Sequence, residues 1–250
     1  MRAANILLIG LSLALASVVA AAVAAPDNRA LLSGEALTSN GTVTVRGRIS
    51  VVGTRQKIKP LPVFKSRVFC GTTVRNETLL ISAAGGLQNA VVIFHPLDKK
   101  LPAQTKALIL DNKHCAFVPH VQVAPVGSEL LLKNSDPILH TVHARLGKET
   151  LFNVGLPKWR QVNKRLDRTG IIRIDCDVLH TWMSAAIVVT DTPYYAISDE
   201  RGSFAFGGLP VGSYDMEIWH EKLGTLRQRI PIDKASSSEL DIIYSLDQSR

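Results

Sequence analysis

The stretch "GIIRIDCDVLHTWMSAAIVVT", residues 170–190, decides how this chain is read. It opens on an alternating strand in which Ile172, Ile174 and Cys176 share one face while Arg173 and Asp175 point the other way. It closes on the apolar run Ala185–Thr190. The loop between carries Cys176, then His180, then Met183. Cys176 therefore reaches the core side at a strand end, where a soft ligand is shielded from water. One thiolate, two imidazoles and a weak thioether form the ligand set of a mononuclear blue-copper site. The spacing C-x3-H-x2-M is common by itself, but its placement between two hydrophobic strands is not.

The second imidazole is sought upstream, in "NSDPILHTVH", residues 134–143. His140 and His143 are three apart, so on a regular strand they face opposite sides and only one can be a ligand. His140 follows the turn Asn134-Ser135-Asp136-Pro137 and shares a face with Val142, which favours it. His143 is then a surface or supporting imidazole. Asn134 and Asp136 read as turn residues bonding the local backbone and tying the two ligand loops together. His120 has three readings: lining the same pocket, a second metal site, or a structural hydrogen bond. His95, His114 and His220 have no partner at ligand spacing and read as structural. Trp182 either packs over the site or forms an exposed docking patch.

The chain has three cysteines, an odd number. The economical reading pairs Cys70 with Cys115 and leaves Cys176 as a metal thiolate; the alternative is a disulfide through Cys176 with one free thiol elsewhere. The two exclude each other. Residues 1–24 read as a secretory signal peptide, with Arg2, the apolar "ILLIGLSLALASVV" and the cleavage signal Ala22-Val23-Ala24. An uncleaved anchor is the rival reading. No Cys lies near the cleavage region, which argues against a lipoprotein, and no later run is long enough for a transmembrane helix. A periplasmic location is expected. The formal charge is +8, or +7 once Arg2 leaves with the signal. Basic residues are not interleaved with aromatics, so nucleic acid is not an expected partner, and a basic face suits an acidic redox partner.

After residue 24 short β-branched runs alternate with Gly, Pro, Asn and Asp, the pattern of an all-β sandwich or barrel. Strands are expected at 43–52, 78–82, 90–94, 106–110, 117–123, 129–133, 140–144, 170–176, 185–190, 203–206, 213–220 and 225–230. Three segments result: 41–111, an N-terminal β segment; 112–191, with the His and Cys motifs; and 192–250, with "SDERGSFAFGGLPVGSYDMEIWH".

Taken together, "NSDPILHTVH" and "CDVLHTWM" resemble the two copper loops of the cupredoxins, the plastocyanin and azurin family, over residues 115–191. Within that family the pattern resembles exported methylamine-utilisation-type proteins. The resemblance implies a Greek-key β-sandwich holding one type 1 copper, with His140, Cys176 and His180 equatorial and Met183 axial. Thr141 departs from it, since cupredoxins usually have Asn after the first His, and this substitution is expected to loosen the bonds between ligand loops. The loop spacing also matches half of a binuclear copper motif, but Ile172 stands where that motif needs a second Cys. The tail resembles a transthyretin-like, carboxypeptidase-regulatory-like β-sandwich, with Asp199-x-x-Gly202 as a hairpin turn and strands borrowed from 41–111. The implied function is single-electron transfer, without enzymatic activity, to a periplasmic redox protein such as a c-type cytochrome. Copper handling, a non-redox scaffold, and an enzyme that binds a small molecule at an open position where Met183 does not coordinate are the alternatives. A chain with only Met183 and Met216 after the signal is poor in the exchangeable thioethers that copper handling uses.

Overall fold

The computed structural model describes residues 41–53, 58–98, 104–233 and 239–246. The expected signal segment lies outside the described residues. Among the described residues the structure is nearly all strand, with one short helix, Arg67–Cys70. Among the described residues no helix is long and apolar enough to cross a membrane.

Two β-sandwiches are present. In the first, a five-stranded sheet runs in the order Glu149–Leu156, His140–Leu146, Gly170–Asp175, Ser184–Thr190, Val121–Pro125. It faces a four-stranded sheet ordered Gln161–Leu166, Ser128–Asn134, Ala107–Lys113, Ala116–Val118. Leu110, Leu130, Leu132, Val142, Ala144, Ile172, Ile174 and Ile187 fill the space between them. Each comes from an every-other-residue set, so the alternation in sequence becomes the two-faced sheet. The strand Ala107–Lys113 crosses the expected segment boundary at 111/112 and belongs wholly to this sandwich.

The second sandwich pairs a three-stranded sheet, Ser203–Pro210, Thr42–Val52, Glu239–Ser245, with a four-stranded one, Tyr195–Ile197, Val91–Pro96, Gly212–His220, Gly224–Ile232. Thr42–Val52 is its central strand, antiparallel to one neighbour and parallel to the other. The turn at Asp199 forms as its residue types require: Asp199 Oδ1 accepts the Arg201 and Ser203 N–H groups, and Gly202 takes φ +79°. A Cβ at Gly202 would lie 2.2 Å from the Ile49 carbonyl oxygen, so no larger residue fits there.

A third apolar layer joins the sandwiches. Val91, Ile93 and Trp219 on one side meet Val121, Val123, Ala186 and Val188 on the other. This explains the unbroken apolar runs "AVVIF" and "AAIVV", because those strands are buried on both faces. At about 25 cal/mol per Å² of apolar surface removed from water, seven buried side chains make this seam a substantial share of stability.

Some strand expectations need correction. No strand forms at 78–82; only Ile81 bridges, to Leu87. The run 117–123 is two strands in different sheets, because the chain crosses between them at Pro119, which has no N–H for a ladder. Strands at Glu149–Leu156, Gln161–Leu166, Tyr195–Ile197 and Glu239–Ser245 were not apparent from sequence. The first two are sheet edges whose side chains are mostly half-buried or exposed, so they lack an apolar period.

Candidate metal centre

The centre is built on two neighbouring strands. His140–Leu146 pairs antiparallel with Gly170–Asp175, Asp175 opposite His143. This register sets His140 at the start of one strand beside Cys176, the first residue past the end of the other. His140, Val142 and Ala144 alternate inward, as do Ile172, Ile174 and Cys176. Past Cys176 the chain turns through Leu179, at φ +64°, and returns His180 to the same point. The Met183 N–H donates to the His180 carbonyl at 2.9 Å and closes the loop.

His140, Cys176 and His180 therefore converge, all buried. Their ligand atoms stand 3.1 Å apart between the two Nδ1 atoms, 3.7 Å from Cys176 Sγ to His180 Nδ1, and 4.0 Å from Sγ to His140 Nδ1. With imidazole nitrogens at about 2.05 Å and a thiolate at about 2.3 Å from one ion, a trigonal plane has edges of about 3.6 and about 3.8 Å. The triangle is of that size, with its imidazole edge drawn in. A donor set of two neutral imidazoles and one thiolate suits copper.

Both imidazoles are oriented by their far nitrogens. His140 Nε2–H donates to Asp136 Oδ2 at 2.9 Å, and His180 Nε2–H donates to Ser66 Oγ at 3.2 Å. Each bond leaves Nδ1 as the ring atom that faces the triangle. Asp136 is held in turn by the N–H groups of His114 at 2.7 Å and Cys115 at 2.8 Å. It is thus a long-range anchor, which corrects its reading as a locally bonded turn residue. Asn134 does bond locally, to the Ile138 carbonyl, and also ties the Leu156 carbonyl.

The electrostatics favour the ligand-ready forms of Cys176 and His180. Burial raises the Cys176 thiol, but hydrogen bonds from His140 and from the Thr141 and Val178 amides outweigh it, and the net shift is downward. Burial, then the neighbouring His140 and Lys65 charges, lowers His180 to about 4 and keeps it neutral. Burial opposes a charge on His140, yet Asp136 and the Cys176 thiolate prevail and raise it. Asp136 stays below the usual carboxylate range because its three donors overcome its own burial.

The Cys176 loop is pinned on both sides. Asp175 is ion-paired with Arg145; Asp177 is held by His143 Nδ1 at 2.8 Å and Asn153 Nδ2 at 2.7 Å. His143 thus points away from the triangle and supports it, as its strand position requires. Thr141 donates its amide to Cys176 Sγ at 3.3 Å, and its hydroxyl accepts the Asp177 N–H at 2.6 Å. Rather than loosening the loops, Thr141 joins them: its hydroxyl oxygen accepts an inter-loop bond from the Asp177 amide.

Met183 is buried in the same core, 2% exposed. Trp182 is buried too, which excludes it as an exposed docking patch; its ring centroid lies 5.0 Å from that of His180, and its Nε1–H donates to the Cys115 carbonyl. His120 pairs with Glu221 at 2.6 Å across the two sandwiches and is no ligand of the triangle. Cys70 and Cys115 are bridged, with Cα atoms 5.6 Å apart, and Cys176 is free. The alternative disulfide through Cys176 is thereby excluded. Ser66 was missed altogether from sequence, and no local signal marks it, because its partner lies 114 residues away.

No protein-family model matches the chain, and no curated protein matches it. Solved structures do. A purple cupredoxin from Nitrosopumilus maritimus aligns with 35% of this chain and 100% of its own, at 18% identity and a TM-score of 0.30. A reduced-state amicyanin mutant aligns with 41% of this chain and 99% of its own, at 19% identity and TM-score 0.30. A copper-containing nitrite reductase from Thermus scotoductus SA-01 aligns with 36% of this chain at 20% identity and TM-score 0.30, and the chain spans only 22% of the reductase. At such scores the likeness carries no argument about the metal, which rests on the side chains.

Proposed function

We propose that this chain is an exported single-electron carrier that holds one type 1 copper through His140 Nδ1, Cys176 Sγ and His180 Nδ1, with Met183 as the weak axial ligand. The observation that carries the proposal is the convergence of those three buried atoms, with both far imidazole nitrogens already engaged. Copper bound there supplies a one-electron couple. The protein's part is to hold one geometry in both oxidation states. Asp136 and Ser66 fix the rings, and amide donors from Thr141 and Val178 stabilise the thiolate. The apolar shell excludes water, which tunes the potential and limits side reactions. The Cys70–Cys115 bridge fits an oxidising compartment, in keeping with export to the periplasm. The basic charge suits an acidic partner such as a c-type cytochrome.

The test is the visible and EPR spectrum of the chain with one equivalent of Cu(II), beside Cys176→Ser. An intense thiolate-to-copper band with narrow hyperfine splitting, absent from the variant, is the expected result. A colourless wild type would refute the proposal.

A further inference from the structure

Residues 61–74 form a closed piece that reaches the metal triangle through Ser66, whose Oγ lies 3.2 Å from His180 Nε2. Leu61–Pro62 pairs with Thr73–Val74 at its base, and the Val63 N–H donates to the Thr72 carbonyl. Val63 is fully buried in the core of the first sandwich, with Leu61, Cys70 and Val74 packed beside it, whereas Phe64 and Val68 stand in solvent.

Three observations single out Ser66. It occupies the N-cap of the short helix Arg67–Cys70, where a serine hydroxyl ordinarily bonds the first-turn amides, yet its side chain makes no capping bond. It adopts φ 59° and ψ 30°, a left-handed conformation uncommon for a non-glycine residue. Its hydroxyl turns instead to His180 Nε2. The helix is forgoing a cap, and the backbone is taking an unfavourable conformation, in the same place where a ligand imidazole gains its partner.

The anchoring is shared with the other imidazole. Cys70, at the end of that helix, is bridged to Cys115 across 45 residues. The Cys115 amide donates to Asp136 Oδ2, the oxygen that also receives His140 Nε2–H, and the Cys115 carbonyl accepts from Trp182. One disulfide therefore joins the supports of both imidazoles.

The geometry points to residues 61–74 as a disulfide-anchored cover that closes the pocket over His180, with Ser66 as the positioning residue that latches it. Its function is to control access to Cys176 and the imidazoles; only the identity of what the pocket holds rests on the copper proposal. Opening of the cover, rather than unfolding, exposes the thiol.

Cys176 is the one thiol of the oxidised chain and also of the Cys70→Ser/Cys115→Ser variant, so maleimide labelling of the metal-free protein reports it cleanly. In Ser66→Ala the left-handed backbone is strained as in wild type, there is no capping bond to lose, and only the hydroxyl goes. Labelling is expected to accelerate about five-fold, the value of one neutral hydrogen bond in an opening equilibrium. That acceleration should persist in sub-denaturing urea without steepening, the mark of local opening. Ser66→Asn tolerates the left-handed backbone and restores an acceptor, and should label within about two-fold of wild type. The double cysteine variant should label faster than Ser66→Ala; should it unfold, Ser66→Ala decides alone. A Ser66→Ala rate equal to wild type would overturn the cover. A colourless copper adduct would instead sink the carrier reading and leave the cover standing.

Discussion

Asp136 offers the sharpest stability test, because two substitutions there remove different numbers of hydrogen bonds from one buried carboxylate. The group is 1% exposed. Its Oδ1 accepts the His114 amide, and its Oδ2 accepts both the Cys115 amide and His140 Nε2–H. In Asp136→Ala all three donors lose their acceptor, the Cys115 amide and His140 Nε2–H in a buried site and the His114 amide in a part-buried one. In Asp136→Asn one oxygen remains and can occupy the Oδ2 position, keeping two of the three; only the His114 amide then faces an NH2 group. Each orphaned buried donor costs about 1–3 kcal/mol. Asp136→Asn should therefore lose about 1–3 kcal/mol, and Asp136→Ala about 4–5 kcal/mol after partial relaxation. Urea unfolding of the metal-free, disulfide-intact chain at pH 7 measures both. Copper affinity in a competition assay should fall about 10–100-fold in either variant, since a supporting carboxylate fixes the ligand ring. Equal stability losses in the two variants, or a loss under about 1 kcal/mol in Asp136→Ala, would refute the assignment of three bonds to this carboxylate.

Other tests address the rest of the molecule. His220 is buried and its imidazole is pushed down to about 4 by burial, so it folds neutral. Its unfolded form takes up a proton first as pH falls from the ordinary value of 6.5, so its contribution is full above that pH and is lost on acidification. That amounts to about 2 kcal/mol between pH 7 and pH 5, read as a drop in urea-unfolding free energy that shrinks in His220→Gln; undiminished stability at pH 5 would contradict a buried neutral ring. Trp219→Ala empties the seam between the sandwiches and should cost about 3–5 kcal/mol by thermal unfolding, while a change under about 1 kcal/mol would show that the seam is not packed. Gly202→Ala places a Cβ 2.2 Å from the Ile49 carbonyl oxygen and should lower the melting temperature sharply, so a soluble variant melting as wild type would disprove the close approach.

Much of the centre was legible because its residues are close in sequence. Strand alternation by itself places Cys176 with Ile172 and Ile174, and sets His140 and His143 on opposite faces; the buried and half-buried positions follow it. Cysteine economy reached the Cys70–Cys115 bridge without geometry. The residues that hold the ligands were misread or unseen. Asp136 looked like a turn residue because Asn-Ser-Asp-Pro is a turn, whereas its donors come from His114 and Cys115. Thr141 looked like a weakness when judged by residue type, whereas one hydroxyl oxygen suffices to accept the Asp177 amide. Edge strands such as Glu149–Leu156 escaped because an edge need not bury a periodic face.

The amino-acid sequence by itself determined the all-β class, the inward set of each central strand and the identity of the soft donors, since these depend on side-chain chemistry and a period of two. Only the tertiary structure decided that Thr42–Val52 is the central strand of its sheet, antiparallel to one neighbour and parallel to the other, that a third apolar layer welds the two sandwiches, and that Ser66 and Asp136 orient the imidazoles. The physical reason is range. Alternation and turn chemistry act over a few residues, whereas a hydrogen bond between positions 66 and 180 exists only after the chain has folded to bring them together.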